Sequence, residues 1–120
     1  MALTKSAPTN IFATTTLAVG TSGVSNAHNV TTAAAADIEV LIEGSSAPTA
    51  GTVDVAIYDS LDGTNFTNDP VYTGYATPRE VPYRATFPIE VTAFRYIQVS
   101  VTNNTDVSVD VTINITTTAP

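Results

Sequence analysis

Hydrophobic and polar residues alternate along most of the chain. Over residues 37–43, Ile38, Val40 and Ile42 fall on one face of an extended segment, and Glu39, Leu41 and Glu43 on the other. A period of two predicts a half-buried strand. Residues 52–58 repeat the pattern with Val53, Val55 and Ile57 inward. The Gly-, Ser-, Ala- and Pro-containing loop at 44–51 joins the two strands, and a hairpin is predicted there. The clearest stretch is C-terminal. Residues 95–102 put Ile97, Val99 and Val101 inward, Asn103-Asn104-Thr105-Asp106 reads as a turn, and Val107, Val109, Val111, Ile113 and Ile115 then alternate with polar neighbours. A second antiparallel hairpin with one dry and one wet face is the expectation. A one-residue slip would expose the whole β-branched row, so its register is expected to be well fixed.

Shorter strands are predicted at 11–19, 28–32, 71–75 and 81–89. Gly20-Thr21-Ser22-Gly23 ends the first. Pro82 and Pro88 bracket the last, which argues for an edge strand or one interrupted by a bend. Together these elements predict an all-β antiparallel sandwich of jelly-roll type with seven or eight strands. Composition strengthens this. The 22 Thr, 14 Val and 8 Ile are stiff at χ1 and pack well on pleated surfaces, whereas Leu occurs four times and Lys once. Residues 1–10 are small and polar and contain Pro8. They read as a flexible N-terminal arm ahead of one sandwich domain at 11–120.

Net charge is −7, with four basic residues against eleven acidic ones. Nucleic acid and anionic membrane surfaces are not expected partners, since both need clustered Lys and Arg. No run approaches the roughly 18 apolar residues of a membrane-spanning helix. The N-terminal sequence lacks the apolar stretch of a secretory signal, so synthesis in a cytoplasm is expected. Cysteine is absent, which removes disulfides, thiolate metal sites and cysteine nucleophiles.

Candidate chemistry is sparse. His28 is the only histidine and has no Gly-x-Ser-x-Gly nearby, so it reads as a loop residue rather than a catalytic base. Glu39 and Glu43 share a strand face, but four extended residues separate them by roughly 13 Å, beyond the spacing of paired glycosidase carboxyls. No catalytic residue and no cofactor is predicted. Asp59, Asp62, Asn65 and Asp69 offer oxygen ligands within eleven residues. They are the best calcium candidates, although their spacing does not match an EF-hand and such residues serve equally as turn formers. Arg95 faces outward, with Glu90 or Glu80 as expected partners. Among the aromatics, Tyr72 and Tyr75 lie near Gly74 in a short connection and are the expected exposed pair, suited to an interaction surface.

One pair of segments is more specific. Residues 56–66 read as a strand followed by Ser60-Leu61-Asp62-Gly63-Thr64-Asn65-Phe66, and residues 94–103 contain Arg95-Tyr96-Ile97-Gln98-Val99. The pair resembles a signature of small jelly-roll or discoidin-like β-sandwiches. It is similar to small β-sandwich virion proteins of tailed bacteriophages, including capsid decoration proteins. The resemblance spans residues 56–103. Phe66 stands where discoidin-type sugar- and lipid-binding domains carry Trp, so their ligand site is not implied. What the resemblance does imply is a structural virion protein, a cement that decorates and stabilises a phage head. Its partners would be the major capsid protein and further copies of itself, as a homotrimer. A carbohydrate-binding module, or a tail or adaptor protein of a phage, is the alternative expectation.

Overall fold

In the computed structural model, residues 3–120 are described. They form a slab of 44 × 31 × 20 Å built from ten strands: β1 (Thr4–Lys5), β2 (Thr9–Leu17), β3 (Ser22–Val24), β4 (His28–Asn29), β5 (Ala35–Glu43), β6 (Gly51–Ser60), β7 (Tyr72–Ala76), β8 (Tyr83–Glu90), β9 (Tyr96–Thr105) and β10 (Val109–Ala119). The first sheet runs from β1 and β2, which share one edge, through β10 and β5 to β8. The second runs from β3 and β4, which share the other sheet's edge, through β9 and β6 to β7. Every pairing is antiparallel. Counting each shared edge as one position leaves two four-stranded sheets wound as a jelly roll.

Both expected hairpins are corrected. β5 pairs with β10 and β8, while β6 pairs with β9 and β7, so the loop at 44–50 crosses from one sheet to the other. β9 and β10 likewise lie in opposite sheets. Alternation reports that one side of a strand is dry, and the inner face of either sheet satisfies it. The pattern therefore found the strands without choosing their partners. β8 does end its sheet, the position that suits Pro88 within it, and Pro82 lies just before the strand.

The N-terminal segment also differs from its expectation. Met1 and Ala2 lie outside the described residues. Thr4 and Lys5 pair with Ala119 and Thr118, Ser6 donates its N–H to Thr117 O at 2.8 Å, and Thr9 and Asn10 begin β2. What reads as a flexible arm is laid along β10 of its own chain. These small polar residues have no inward face, and backbone pairing leaves no hydrophobic trace to read.

The interior is filled by every second residue of four central strands. Ile38, Val40 and Ile42 of β5 and Val111, Ile113 and Ile115 of β10 face Val53, Val55 and Ile57 of β6 and Ile97, Val99 and Val101 of β9, all buried. Each such side chain contributes roughly 1.5–3 kcal/mol when fully withdrawn from water. Their β-branching suits the pleated surface and limits the rotamer entropy lost on packing.

Polar side chains enter the interior at the end of β9, at Asn103 and Thr105. Asn103, read from the sequence as a turn residue, is a fully buried member of β9 opposite Val53. Its Nδ2 donates to Leu17 O at 2.9 Å and Val107 O at 2.8 Å, and its Oδ1 accepts from Thr105 N at 3.0 Å and Thr105 Oγ1 at 2.6 Å. Asn103 N also donates to Thr21 O, and Gly20 N donates to Asn103 O. One side chain thus ties the β2–β3 crossing to the β9–β10 crossing. Beside it, Gly51 has φ +83°, and a Cβ there would stand 2.0 Å from Asn104 O.

Replacing Asn103 with Ala takes the Nδ2 donor from the buried Leu17 carbonyl and one of two donors from the half-buried Val107 carbonyl, which keeps the Thr105 hydroxyl. The expected loss is about 2–4 kcal/mol in urea unfolding. Thr32→Ala, on an exposed loop, stays within about 0.5 kcal/mol of the parent. An Asn103→Ala loss as small as the Thr32→Ala loss contradicts the role given to this amide.

Candidate functional site

The Ser-x-Asp-Gly turn folds on itself. Ser60, buried at the end of β6, donates to Asp62 Oδ1 at 2.9 Å and accepts from Gly63 N at 3.0 Å. Asp62 Oδ1 also accepts from Thr64 N and Asn65 N, and Oδ2 from Asn65 Nδ2 at 2.8 Å. These donors hold the Asp62 carboxyl well below the usual carboxylate range, with the Asn65 backbone N–H contributing most. Gly63, at φ +79°, passes directly over the ring of Tyr96, whose Cδ1 would be 3.2 Å from a Cβ. The two segments that carry the sequence resemblance therefore meet at this contact, with Ser60 paired opposite Tyr96. Phe66 is half-buried beside Leu61 and Thr67 in the same loop.

Of the calcium candidates, only Asp62 and Asn65 are brought together, and they bond to each other. Asp59 accepts from Thr67 Oγ1 at 3.3 Å, and Asp69 contributes its backbone carbonyl to that hydroxyl at 3.0 Å. Among the described residues, no three His, Cys, Asp or Glu side chains gather as a possible metal set. The loop's oxygens serve the loop's own donors.

At the opposite end, Asp106 accepts from Thr49 N at 2.9 Å, from Thr49 Oγ1 and from Ala50 N. These bonds, that from the Thr49 hydroxyl first, lower its pKa. They pin the β5–β6 crossing to the β9–β10 crossing. His28 is half-buried opposite Ile97, and desolvation lowers its pKa from the ordinary 6.5. Among the described residues, no hydrogen bond joins it to a serine or a carboxylate. Arg95 forms no ion pair with Glu90 or Glu80 there either. The observed pairs are Arg84–Glu39 at 3.1 Å and Lys5–Asp37 at 3.2 Å. Both are open to solvent and contribute about 0–1 kcal/mol each.

The two broad faces differ. Outward positions of the first sheet carry Asp37, Glu39, Glu43, Glu90 and Asp110, set among threonines and met by Arg84 and Lys5. Outward positions of the second sheet carry one charge, Asp54. Its register sets out two rows across four strands: Tyr75–Asp54–Thr102–Ser22, and Thr73–Ala56–Ser100–Val24. Asp54, Ala56, Thr73, Ser100 and Thr102 of these rows line a shallow depression of about 630 Å³, walled by Tyr75 and reached past Gly74 by Tyr72 and Phe87. Tyr75 is 67% exposed. Tyr72 points the other way, paired with Ile57 and packed on the core. The two tyrosines expected as an exposed pair are thus split, because residues three apart in a strand face opposite sides. Asp54, Ser100 and Thr102 of this face were not singled out from the sequence. Alternation gives their outward phase, but only the strand register puts them beside Tyr75.

No protein-family model matches the chain, and no curated protein matches it. Among solved structures it is similar to a chain from Bacillus endospore appendages, described as a novel family of disulfide-linked pili. That match has a TM-score of 0.52 at 16% identity, covering 98% of this chain and 87% of the other. At that identity the likeness is one of fold. It extends the sandwich arrangement over nearly the whole chain, while the 120 residues here contain no cysteine.

Asp62 and Asp106 make acid sensitivity a local property. Both carboxyls have folded pKa values below the unfolded value of about 3.9. Their contribution is complete above that value and is lost as pH falls through the lower folded ones. The thermal midpoint of the parent should drop below pH about 4, and Asp62→Ala/Asp106→Ala should flatten that drop. An equally steep acid limb in the double variant would assign the sensitivity elsewhere.

Proposed function

We propose that the protein is a structural, non-enzymatic subunit that works in many copies on a larger particle. Decoration of a tailed-phage head is the leading reading. The observation that carries the proposal is β2, the part of the first sheet's β1–β2 edge that lies beyond Lys5 and Pro8. β2 is a nine-residue strand, Thr-Asn-Ile-Phe-Ala-Thr-Thr-Thr-Leu, with neither charge nor proline and with most side chains exposed. The other edges are blunted: β8 by Pro88 and the charged Arg84 and Glu90, β7 by its five-residue length, and β3–β4 by the break at 25–27. A long, uncharged edge is a template for a further strand. Ala13 and Thr15 on β2 and Leu3 beside β1 are all exposed, and Leu3 is 69% so. A neighbour docked there leaves both broad faces free, with the carboxylates of the first sheet toward solvent.

Multiplicity then supplies what one modest contact lacks. A subunit held at many equivalent sites gains effective concentration from each neighbour already bound. The partners in this reading are the major shell protein and further copies of this chain, as a trimer in a virion assembled in the host cytoplasm. A second reading, an appendage subunit, is favoured by the likeness to the endospore pilus chain. The disulfide linkage named for that protein has no counterpart among these residues, so edge pairing would have to take its place.

Thr15→Lys separates assembly from folding. The expected result is an unchanged far-UV spectrum and melting midpoint, with weakened association in sedimentation velocity and loss of the protein from purified particles. Electron microscopy of the concentrated parent distinguishes the readings. Discrete oligomers that recruit to phage heads support decoration, and fibres support the appendage. A parent that stays monomeric and is absent from particles and fibres contradicts both.

A further inference from the structure

The outer face of the second sheet, with Asp54 as its one charge, lies apart from the β2 edge. We propose that the depression beside Tyr75 is a binding site for an uncharged oligosaccharide, with the sugar's C–H face stacked on the Tyr75 ring.

The geometry supports this in three ways. First, Tyr75 is a large aromatic left 67% exposed in a sheet face whose neighbouring positions hold small side chains. Its cross-strand partner Asp54 does not cover the ring. Asp54 Oδ1 accepts from Thr52 Oγ1 at 2.8 Å and Oδ2 from Asn104 Nδ2 at 2.5 Å, which holds the carboxylate toward the next row. Second, the row beside the ring is made of hydroxyl-compatible groups. Asp54 keeps free lone pairs for sugar hydroxyls, and Thr102 and Ser22 share one hydrogen bond at 2.7 Å, leaving acceptor capacity on both. An aromatic wall with a few fixed polar groups is how pockets orient ligands that are apolar on one side and polar at the rim. Four strands span roughly 14 Å, enough for a short oligosaccharide. Third, charge selects among ligands. The face offers a carboxylate and no lysine or arginine at its outward strand positions, on a chain of net charge −7. Anionic sugars and phosphates are repelled, and a single carboxylate already accepting two hydrogen bonds is a poor cation site.

The proposal does not depend on how the subunit assembles. It needs only that this face is open, and its test runs on the dispersed protein. Amide chemical shifts would be followed while cello-, chito-, manno- and galacto-oligosaccharides are titrated in, with a sulfated oligosaccharide as the anionic control. An uncharged member of the panel is expected to shift the amides of Asp54, Thr73, Tyr75 and Thr102. Tyr75→Ala should weaken that binding about tenfold or more, and Tyr75→Phe, which keeps the ring, should leave it within about twofold. Retention by the Phe variant keeps the test decisive if the Ala variant folds poorly. The proposal is overturned if no uncharged member shifts these amides, if only the sulfated control does, or if the shifts map to another surface. It is also overturned if Tyr75→Ala abolishes self-association while leaving sugar binding untouched, which would make the face a contact between copies.

Discussion

The side chain of Asn103 is where the architecture closes. A jelly roll must carry the chain from one sheet to the other several times, and each crossing leaves backbone groups that no ladder satisfies. At the end of the slab where β2 passes to β3 and β9 passes to β10, one buried amide uses both donors and both acceptor positions to meet those groups. Asp106 does the same for the β5–β6 crossing from the exposed side. Among the described residues, no buried side-chain nitrogen or oxygen lacks a partner. With the crossings held, the central strands can commit every second residue to a dry interior. An apolar residue at position 103 would fit the alternation better and leave the crossings unheld.

That arrangement decides what the surface can do. Interior demands consume the Ile and Val side chains, and the outward positions are left to Thr, Ser, Asn and acids. The same register that buries Ile113 and Val101 sorts the outward residues into an acidic face and a nearly uncharged one. The uncharged face carries Tyr75, and the free edge carries β2. The proposed attachment along the edge and the proposed recognition on the face therefore fall on separate parts of the slab.

The strands were legible because alternation is a local property with a physical cause, burial of one side. Residues 37–43 and 52–58 lie within observed strands, and so does the 107–115 stretch from Val109 onward. Partnership was not legible. Ile42 makes the same local pattern whether β5 pairs with β6 or with β10, and loop length alone did not distinguish a hairpin from a crossing. Asn103 was misread for a related reason. Asn followed by Asn is turn chemistry, and only the three-dimensional arrival of Leu17 and Val107 makes it a strand residue. Ser60–Asn65 has the composition of a turn, and its Asp62 hub follows from the Asx-type bonding such residues favour. Alternation along β7 already sets Tyr72 and Tyr75 on opposite sides, but which of them faces out, and beside which residues, needed the register.

The most direct measurement is the pattern of cross-strand nuclear Overhauser effects on isotopically labelled protein. The account predicts backbone contacts of Val101 with Val55, and of Ile113 with Val40 on one side and the β2 strand on the other. It predicts none that would zip β9 to β10 as neighbouring strands. A continuous ladder between 97–105 and 109–115 would contradict it, and with it the crossings that Asn103 is said to hold.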